Sequence, residues 1–359
     1  MQIFTDLRTL ILFIVTFTVI VAVHEFGHYL TARLLGMRVL EFAFGFPPRV
    51  ASVTRGGIAY SLNAIPVGGF VRILGQDDFA IRQQGEGEPG SFTSKPWWMQ
   101  AIVLVAGVVM NLILALVVLT AAFALGSSAP TGQVRVVDVR SGSPAAAAGI
   151  ESGDVITKVD GQAVKSSVNL VNYTQAHRGT PITLEILRDG APIPPIRATP
   201  RESPPEGEGP LGIVLEDVTA PTTGGLPQAA HNAWSLTSDI IGQIVALPGQ
   251  LIAGPGSSGQ APQIGGPIEI YRVTAEVSQF GVAAVLRLIG VLSINLAVLN
   301  IVPFPALDGG RLFFVLIGGI FRRRLSPQVE AGIHAVGMAL LLALLVAVSI
   351  SDLRRAFGG

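Results

Sequence analysis

The segment that decides the fold reads, from Leu7 to Leu35, LRTLILFIVTFTVIVAVHEFGHYLTARLL. Between Arg8 and Arg33, its only acidic or basic side chains are His24, Glu25 and His28. About 20 apolar residues in a helix are enough to cross a bilayer. Ionisable groups inside hydrocarbon cost several kcal/mol unless they are paired or ligated. The segment therefore predicts a membrane span that carries a functional polar cluster.

The composition of the whole chain agrees with a membrane protein. Of its 359 residues, 50% are hydrophobic and 13% are charged, and the mean hydropathy is +0.57. A soluble domain has nearer a quarter of charged residues. The formal net charge is zero, which gives no basic excess for binding nucleic acid. The chain has no cysteine, so any metal must be held by His, Asp or Glu.

Four stretches are apolar enough to span a bilayer, and the third is interrupted by two prolines. They cover residues 7–35, 98–125, 282–321 and 329–350. This pattern predicts a polytopic α-helical membrane protein with about four transmembrane helices, a β-hairpin region and an inserted soluble α/β domain.

Between the spans, alternating apolar residues and turn signals predict shorter elements. Strands are expected at 39–46, 49–54, 58–64 and 69–74, with a hairpin turn at Gly56-Gly57. The polar residues 77–94 are expected to form a mobile loop. In the soluble domain, about 130–199, strands are expected at 134–139, 155–159 and 182–187, with helices starting at Ser143-Pro144 and near residue 168. A Pro- and Glu-rich linker, an amphipathic segment and a Gly/Pro/Ser stretch are expected at 200–210, 228–247 and 248–267.

The distribution of basic residues predicts the topology. The loop after the first span carries Arg33, Arg38, Arg49, Arg55, Arg72, Arg82 and Lys95, and the loop before the last span carries Arg322, Arg323 and Arg324. Loops rich in Lys and Arg face the cytoplasm. Both loops are therefore expected inside, with the soluble domain and both termini outside. Arg354 and Arg355 argue mildly against this arrangement.

His24 and His28 are spaced to share a metal ion. Four residues apart on a helix, both imidazoles lie on one face, and Glu25 between them is placed to take a proton from water. Catalytic zinc usually has three protein ligands. The candidate for the third ligand is Asp308, which follows Pro303 and Pro305, where the span must unwind. The alternative is that Asp308 is the N-cap of a helix running through Leu316, and the two roles are compatible.

Other polar side chains in the spans have two interpretations each. Asn300 is placed either to bind a substrate backbone or water, or to satisfy the carbonyls freed by Pro303. Asn111, four residues after Gly107, favours close helix packing. His177, His231 and His334 each stand alone, which favours solvated or packed histidines over ligands.

These motifs resemble the site-2 protease family of intramembrane zinc metalloproteases. The resemblance rests on His24-Glu25-x-x-His28, on Asn300-x-x-Pro303-x-x-x-Leu307-Asp308-Gly309 and on the extramembrane domain between them. It implies one Zn²⁺ per chain, held by His24, His28 and Asp308, with Glu25 as the catalytic base.

A second stretch, residues 65–71, resembles the family's membrane-reentrant β-hairpin. By that resemblance Val67, Gly68, Gly69 and Phe70 pair with an unwound substrate. Residues 106–111 match a family pattern except at Val108, where relatives usually have proline.

The middle domain resembles a PDZ domain in residues 143–149, 153–156 and 159–161. Leu211, Gly212 and Ile213 are similar to its loop that binds a peptide carboxylate. The alternative is a steric filter that binds no peptide end. The implied boundaries are 1–36 for the first span, 37–96 for the hairpin region and cytoplasmic loop, 97–126 for the second span, 127–217 for the PDZ domain, 218–280 for a linker and amphipathic segment, 281–321 for the broken third span and 322–359 for the fourth span and C-terminus.

The resemblance implies a function in regulated intramembrane proteolysis. The expected substrates are single-span membrane proteins such as anti-sigma factors and signal-peptide remnants, with peptide C-termini as PDZ ligands and the lipid bilayer as the surroundings. The expected location is the bacterial plasma membrane, with the active site near the cytoplasmic side and the PDZ domain outside. The alternatives are a non-catalytic PDZ scaffold, a membrane-anchored zincin that cuts extramembrane substrates, and a transporter.

Overall fold

The structure, a computed structural model, describes residues 7–76, 87–126, 128–164, 166–205, 208–221, 224–252, 266–321 and 326–357. Its helices are α1 (Leu7–Leu34), α2 (Trp97–Ala124), α3 (Pro144–Ala147), α4 (Ser167–Ala176), α5 (Gly225–Ile252), α6 (Pro267–Ser278), α7 (Val282–Ile301), α8 (Asp308–Ile320) and α9 (Pro327–Phe357). Its strands are β1 (Val39–Arg55), β2 (Ile58–Ile73), β3 (Ser128–Val139), β4 (Val155–Val159), β5 (Gln162–Ala163), β6 (Ile182–Arg188), β7 (Ala191–Pro192), β8 (Ile196–Ala198) and β9 (Ile213–Pro221).

The chain divides into two compact units. One, the helical unit, comprises 1–125, 229–241 and 265–359, and the other, the sheet unit, comprises 126–228 and 242–264. The predicted linker at 200–210 and Gly/Pro/Ser stretch at 248–267 fall partly outside the described residues, as do 77–86 of the predicted mobile loop. So do Arg82 and the three arginines before the last span.

Four helices of the described chain are long and apolar enough to cross a membrane, which confirms the predicted number. They are Leu7–Leu34, Trp97–Ala124, Val282–Ile301 and Gln328–Arg354. The third apolar stretch is broken as expected: α7 ends at Ile301 and α8 begins at Asp308. Pro303 and Pro305 lie in the gap, because proline lacks the N–H that a continuing helix requires.

Helix α2 is the centre of the helical unit. It contacts α1, α7 and α8. In the most apolar part of α2, 44% of the residues are buried, against 11% in the corresponding part of α9. Small residues make the close approach possible: Gly27 of α1 lies against the backbone of Ala106, and Gly290 of α7 lies against Leu119. Glycine at helix interfaces lets backbones approach closely, which drives association where lipid already solvates apolar groups. The residues on α2 are therefore well placed to hold a site inside the bundle.

The region after α1 is a sheet made from two long strands. The turn at Gly56-Gly57 is as predicted, and both glycines have positive φ, which only glycine adopts freely. The four expected strands are two continuous ones in the structure, β1 and β2, with irregular pairing near Pro47 and Pro48. Proline's fixed φ is compatible with extended backbone, so the strand continues while a ladder hydrogen bond is lost.

Within this sheet the backbone folds back on itself. Residues 41–44 of β1 pair with 59–62 of β2 on one side and with 69–72 on the other. Glu41 is buried there and accepts hydrogen bonds of 2.5 Å from Arg49 and from Ser61. The segment 69–73 of β2 is therefore an outer strand of the sheet.

The sheet unit has the strand order β7-β6-β4-β3-β9, with β5 on β4 and β8 on β6. Its core is built from alternate strand residues and one face of α4, among them Val134, Ile156, Leu170, Leu184 and Ile186. The predicted helix start is confirmed, since Ser143 Oγ accepts the Ala146 N–H at 3.1 Å and Pro144 follows it.

A buried ion pair fastens two strands of this unit. Both carboxylate oxygens of Asp154 accept hydrogen bonds from the Arg188 guanidinium, each at 2.8 Å. These bonds lower the pKa of Asp154. The carboxylate therefore keeps its charge, and the pair stays formed, at pH values below the ordinary aspartate range.

Helix α6 is an element that the sequence did not predict. Its first turn is capped from α9: Asp352 Oδ2 accepts the backbone N–H groups of Gly266 at 2.9 Å and Glu269 at 3.2 Å. The predicted amphipathic segment at 228–247 lies within α5. Asp308 is the first residue of α8, and the N-cap is Leu307, which makes no side-chain cap bond. The alternative that Asp308 is the N-cap is therefore wrong.

Candidate metal centre

Three side chains from distant parts of the sequence meet inside the helical unit. Nε2 of His24 and Nε2 of His28 lie 3.1 Å apart, and Oδ2 of Asp308 lies 2.9 Å from the first and 3.2 Å from the second. Both histidines are 5% exposed, whereas the Asp308 side chain is 21% exposed. Asp308 is thus the most exposed of the three side chains.

The His28 ring is fixed by the backbone of α2. Its Nδ1 lies 2.7 Å from the carbonyl oxygen of Val103, which accepts but cannot donate a hydrogen bond. Nδ1 therefore carries the proton, and Nε2 presents its lone pair to the other two side chains. A second bond that sets the tautomer in this way is typical of histidines that ligate metals.

Asn111 of α2 lies behind His24. Its Nδ2 is 3.3 Å from Nδ1 of His24, and its buried Oδ1 has no hydrogen-bond partner in the described part of the chain. Turning the amide by 180° puts Oδ1 against Nδ1, so that the ring donates, and the two orientations of an amide are assigned from such networks. His24 Nε2 then also presents a lone pair to the centre.

The donor set therefore fits a cation. In the tautomers assigned above, two imidazole lone pairs and a carboxylate oxygen converge, an arrangement that a bound metal ion would stabilise. Ligands about 2.0–2.2 Å from a tetrahedral zinc are roughly 3.4 Å apart. The three observed separations, 2.9, 3.1 and 3.2 Å, are within a few tenths of an ångström of that value. His24, His28 and Asp308 are the group in the described residues that meets the requirements for holding a metal.

Gly107 makes room for this cluster. A Cβ built on Gly107 would lie 2.7 Å from Cε1 and 2.8 Å from Nε2 of His24, and closer still to Nε2 of His28. The two rings thus pack directly on the backbone of α2. The spacing of Gly107 and Asn111 predicts a packing role, and in the structure both residues lie against the histidines.

Glu25 is held by the sheet. Its Oε2 accepts the backbone N–H of Val71 at 2.9 Å, and Gly69 lies beside its side chain. A Cβ on Gly69 would lie 2.7 Å from the Ala43 carbonyl oxygen, so the backbone passes the site with no side chain between them. The outer strand 69–73 of β2 therefore runs directly past the acidic residue of the motif.

The turn before Asp308 is fastened by α9. The Ala306 N–H donates to Nδ1 of His334 at 2.9 Å, and Gly337 lies against Pro305. Ala306 has a φ of +78°, a conformation that costs a non-glycine residue about 1–2 kcal/mol. His334 is 7% exposed, so this bond is shielded from water and holds the strained turn in place.

Replacing His334 tests this role. We expect His334→Leu to weaken zinc binding about tenfold, since the strained turn loses its acceptor and Asp308 loses its position. His334→Asn should restore most of the affinity, because Asn Oδ1 occupies nearly the same place as Nδ1. His334→Gln, whose oxygen lies one bond farther out, is the control. Equal zinc affinity in all three variants, measured by competition with a chelator, would contradict the assignment.

Comparison with known proteins agrees with this site. The family described as peptidase family M50 matches residues 12–344. The chain belongs to peptidase family M50. This is the site-2 protease family that the motifs resemble, so the predicted family and enzyme class are confirmed.

Three relatives cover nearly the full length of the chain. "Putative zinc metalloprotease CPE1693" of Clostridium perfringens is 31% identical over 95% of this chain and 97% of its own. "Putative zinc metalloprotease Atu1380" of Agrobacterium fabrum is 30% identical over 96% of each. "Regulator of sigma-W protease RasP" of Bacillus subtilis is 27% identical over 98% of this chain and 99% of its own. The names of the first two relatives agree with the expected zinc cofactor.

The structure brings some predicted site residues together and leaves others apart. His24, His28 and Asp308 form one cluster, and Gly69 lies beside Glu25. Phe70 follows Gly69 in β2, as Val67 and Gly68 precede it. Asn300 lies at the end of α7, one residue before its last residue, Ile301. Leu211, Gly212 and Ile213 belong to the sheet unit.

Two contacts at the site were not predicted from the sequence. The Val71 amide that holds Glu25 is a backbone group, which no residue pattern identifies. His334 stands alone in the sequence, which favours a solvated or packed histidine, and its partner in the structure is the backbone of Ala306, 28 residues away. The position of His334 in an otherwise apolar span was the one available indication.

Proposed function

We propose that this chain is an intramembrane zinc endopeptidase that cuts single-span membrane proteins in regulated intramembrane proteolysis. The observation that supports this proposal is the position of the three side chains. His24 and His28 belong to an apolar helix, and Asp308 begins α8, the helix that follows the break in the third apolar stretch. By analogy with its family, the substrates include anti-sigma factors and signal-peptide remnants. The location that fits is the bacterial plasma membrane, with the site near the cytoplasmic side.

Different residues would bind the metal, transfer the proton and orient the base. His24, His28 and Asp308 would hold the zinc ion, which when bound supplies the Lewis acidity that activates water and polarises a peptide carbonyl. Glu25 takes the proton lost by the attacking water and delivers it to the leaving amine. The Val71 N–H keeps the Glu25 carboxylate oriented for both transfers.

A helical substrate hides its peptide carbonyls in its own hydrogen bonds, so it must unwind before cleavage. The outer strand 69–73 pairs with β1 on one side only in the described chain, and apart from the Val71 N–H, which Glu25 accepts, its other edge would let an extended segment form backbone hydrogen bonds, as in strand addition. Val67, Gly68, Gly69 and Phe70 on this strand, together with Asn300, are the proposed substrate contacts. The position of Glu25 beside this edge would bring a paired carbonyl to the base.

The sheet unit is proposed to be a PDZ domain on the outer side of the membrane. Strand β9 lies at the end of its sheet, and α4 is fastened to it where the Ser167 N–H donates to Asp217 Oδ1 at 2.5 Å. The Gly212 N–H already donates to the Gly209 carbonyl at 2.9 Å, which takes one amide away from a cradle at 211–213. This favours a filter against bulky ectodomains over capture of a peptide end.

The test uses the full chain in detergent with a single-span substrate and mass spectrometry of the products. We expect cleavage inside the apolar segment of the substrate, loss of cleavage on chelation and recovery with zinc. His24→Ala is the control that should neither bind zinc nor cut. Cleavage only outside the apolar segment would instead indicate a membrane-anchored zincin, and substrate binding without metal or cleavage would indicate a scaffold.

A further inference from the structure

The arginines around the cytoplasmic end proposed for α1 fall into two groups. Arg38 pairs with Glu88 at 3.8 Å, while Arg49 and Arg72 both pair with the buried Glu41, at 2.5 and 3.4 Å. Arg33 and Arg55 have no carboxylate within 4.0 Å in the part of the chain that the structure describes. Two carboxylates, Glu41 and Glu88, therefore pair with three of these five arginines, and Arg33 and Arg55 have no acidic partner among the described residues.

The two remaining arginines line one cavity. It measures about 520 Å³ and is bounded by Arg33, Arg55, Gly56 and Tyr60. We call it the arginine cavity. Bringing two guanidinium groups to one cavity without an anion is electrostatically unfavourable, and an anion between them reverses the sign of that interaction.

A chain of hydroxyl groups adds to the positive potential of the cavity. Arg33 Nη1 donates to Tyr29 Oη at 3.1 Å, and Tyr29 Oη lies 2.8 Å from Tyr60 Oη. Either hydroxyl can be the donor in the Tyr29–Tyr60 bond, and in the arrangement in which Tyr29 donates its only proton, the O–H of Tyr60 can donate into the cavity that it lines. Two guanidinium groups and a hydroxyl are the donor set that recognises phosphate, because guanidinium binds phosphate through paired N–H groups.

The position of the cavity indicates which phosphate it meets. Arg33 is the second-last residue of α1, which is the first apolar helix, so the cavity lies where that span reaches the membrane surface. Lipid phosphates are concentrated at this depth, and basic pockets beside transmembrane helices bind anionic headgroups.

We propose that the arginine cavity binds the phosphate of an anionic phospholipid headgroup. The inference depends on α1 crossing the membrane and is independent of the proposed protease activity. Arg33 and Arg55 contact the phosphate, and Tyr60 donates to it.

The test measures binding of a fluorescent phosphatidylglycerol to the full chain in detergent. We expect the double variant Arg33→Gln/Arg55→Gln to weaken binding by about tenfold or more. The double variant Arg33→Lys/Arg55→Lys should lose less, since it keeps the charge and loses only the paired geometry. Tyr60→Phe should cause a smaller loss. The three replaced side chains are at the surface or partly exposed, and folding of each variant is checked by zinc content and melting temperature.

The matched control is Arg38→Gln/Lys95→Gln, which removes two positive charges from the same region without touching the cavity. It should change binding less than about twofold. An equal loss in the control, or equal binding of phosphatidylcholine, would overturn the proposal in favour of general charge attraction. Displacement of the lipid by inorganic phosphate alone, with no preference for the lipid form, would show that the site takes free phosphate instead.

Discussion

Glu25→Gln is expected to abolish peptide-bond cleavage while zinc stays bound. The amide has nearly the same shape as the carboxylate and can still accept the Val71 N–H through its oxygen, so the sheet and helix keep their places. It cannot take a proton from water or return one to the leaving amine. A general base contributes typically about 10²–10⁴-fold to rate, and we expect a loss in that range or greater.

The measurement pairs elemental analysis of zinc with cleavage of a single-span substrate in detergent. Glu25→Asp is the companion variant, since it keeps a carboxylate but withdraws it from Val71, and it should retain more activity than the glutamine variant. A glutamine variant that cuts at the wild-type rate would show that another group is the base. One that has lost its zinc would show that Glu25 contributes to the metal site itself.

Gly107→Ala is expected to weaken zinc binding, although Gly107 lies on α2, which carries none of the three proposed ligands. The added methyl group would clash with the rings of His24 and His28, because both rings pack directly against the backbone of α2. Displaced ligands typically cost about 10–100-fold in metal affinity, and the same loss is expected here. Alanine has a higher helix propensity than glycine by about 1 kcal/mol, so α2 itself becomes no weaker.

Gly332→Ala is the matched control, because Gly332 lies on α9 and a Cβ there has no atom within 4 Å. It should leave zinc affinity and cleavage unchanged and raise helix stability slightly. Zinc affinity is measured by titrating a fluorescent chelator against each purified variant. If Gly107→Ala binds zinc as tightly as the control, the close packing of rings on α2 is not what shapes the site.

The spans and the two halves of the motif could be predicted because each depends on local sequence. An apolar run of sufficient length specifies a membrane helix in almost any context, and the i, i+4 spacing puts His24 and His28 on one face. Pro303 and Pro305 end a helix for reasons contained in the residues themselves. The contact between Asp308 and the histidines could be predicted only because an unpaired charged side chain in lipid is energetically costly.

What could not be predicted depends on distant contacts. Helix α6 has a mixed sequence, and its first turn is capped by Asp352, 86 residues after Gly266. Asn111 has a polar partner on another helix, and the partner of Val71 is a side chain on α1. No periodicity encodes such pairs, because each exists only once the helices have packed.

The distance in sequence between the two halves of the cluster also sets an order of events during synthesis. Asp308 is made 280 residues after His28, which at roughly 5–20 residues per second is a delay of about 15–60 s. During that interval the nascent protein has the base and both imidazoles in the membrane but lacks the carboxylate. Under the proposed function, a product that ends before Asp308 lacks the third proposed zinc ligand, and we expect it to cut no membrane protein.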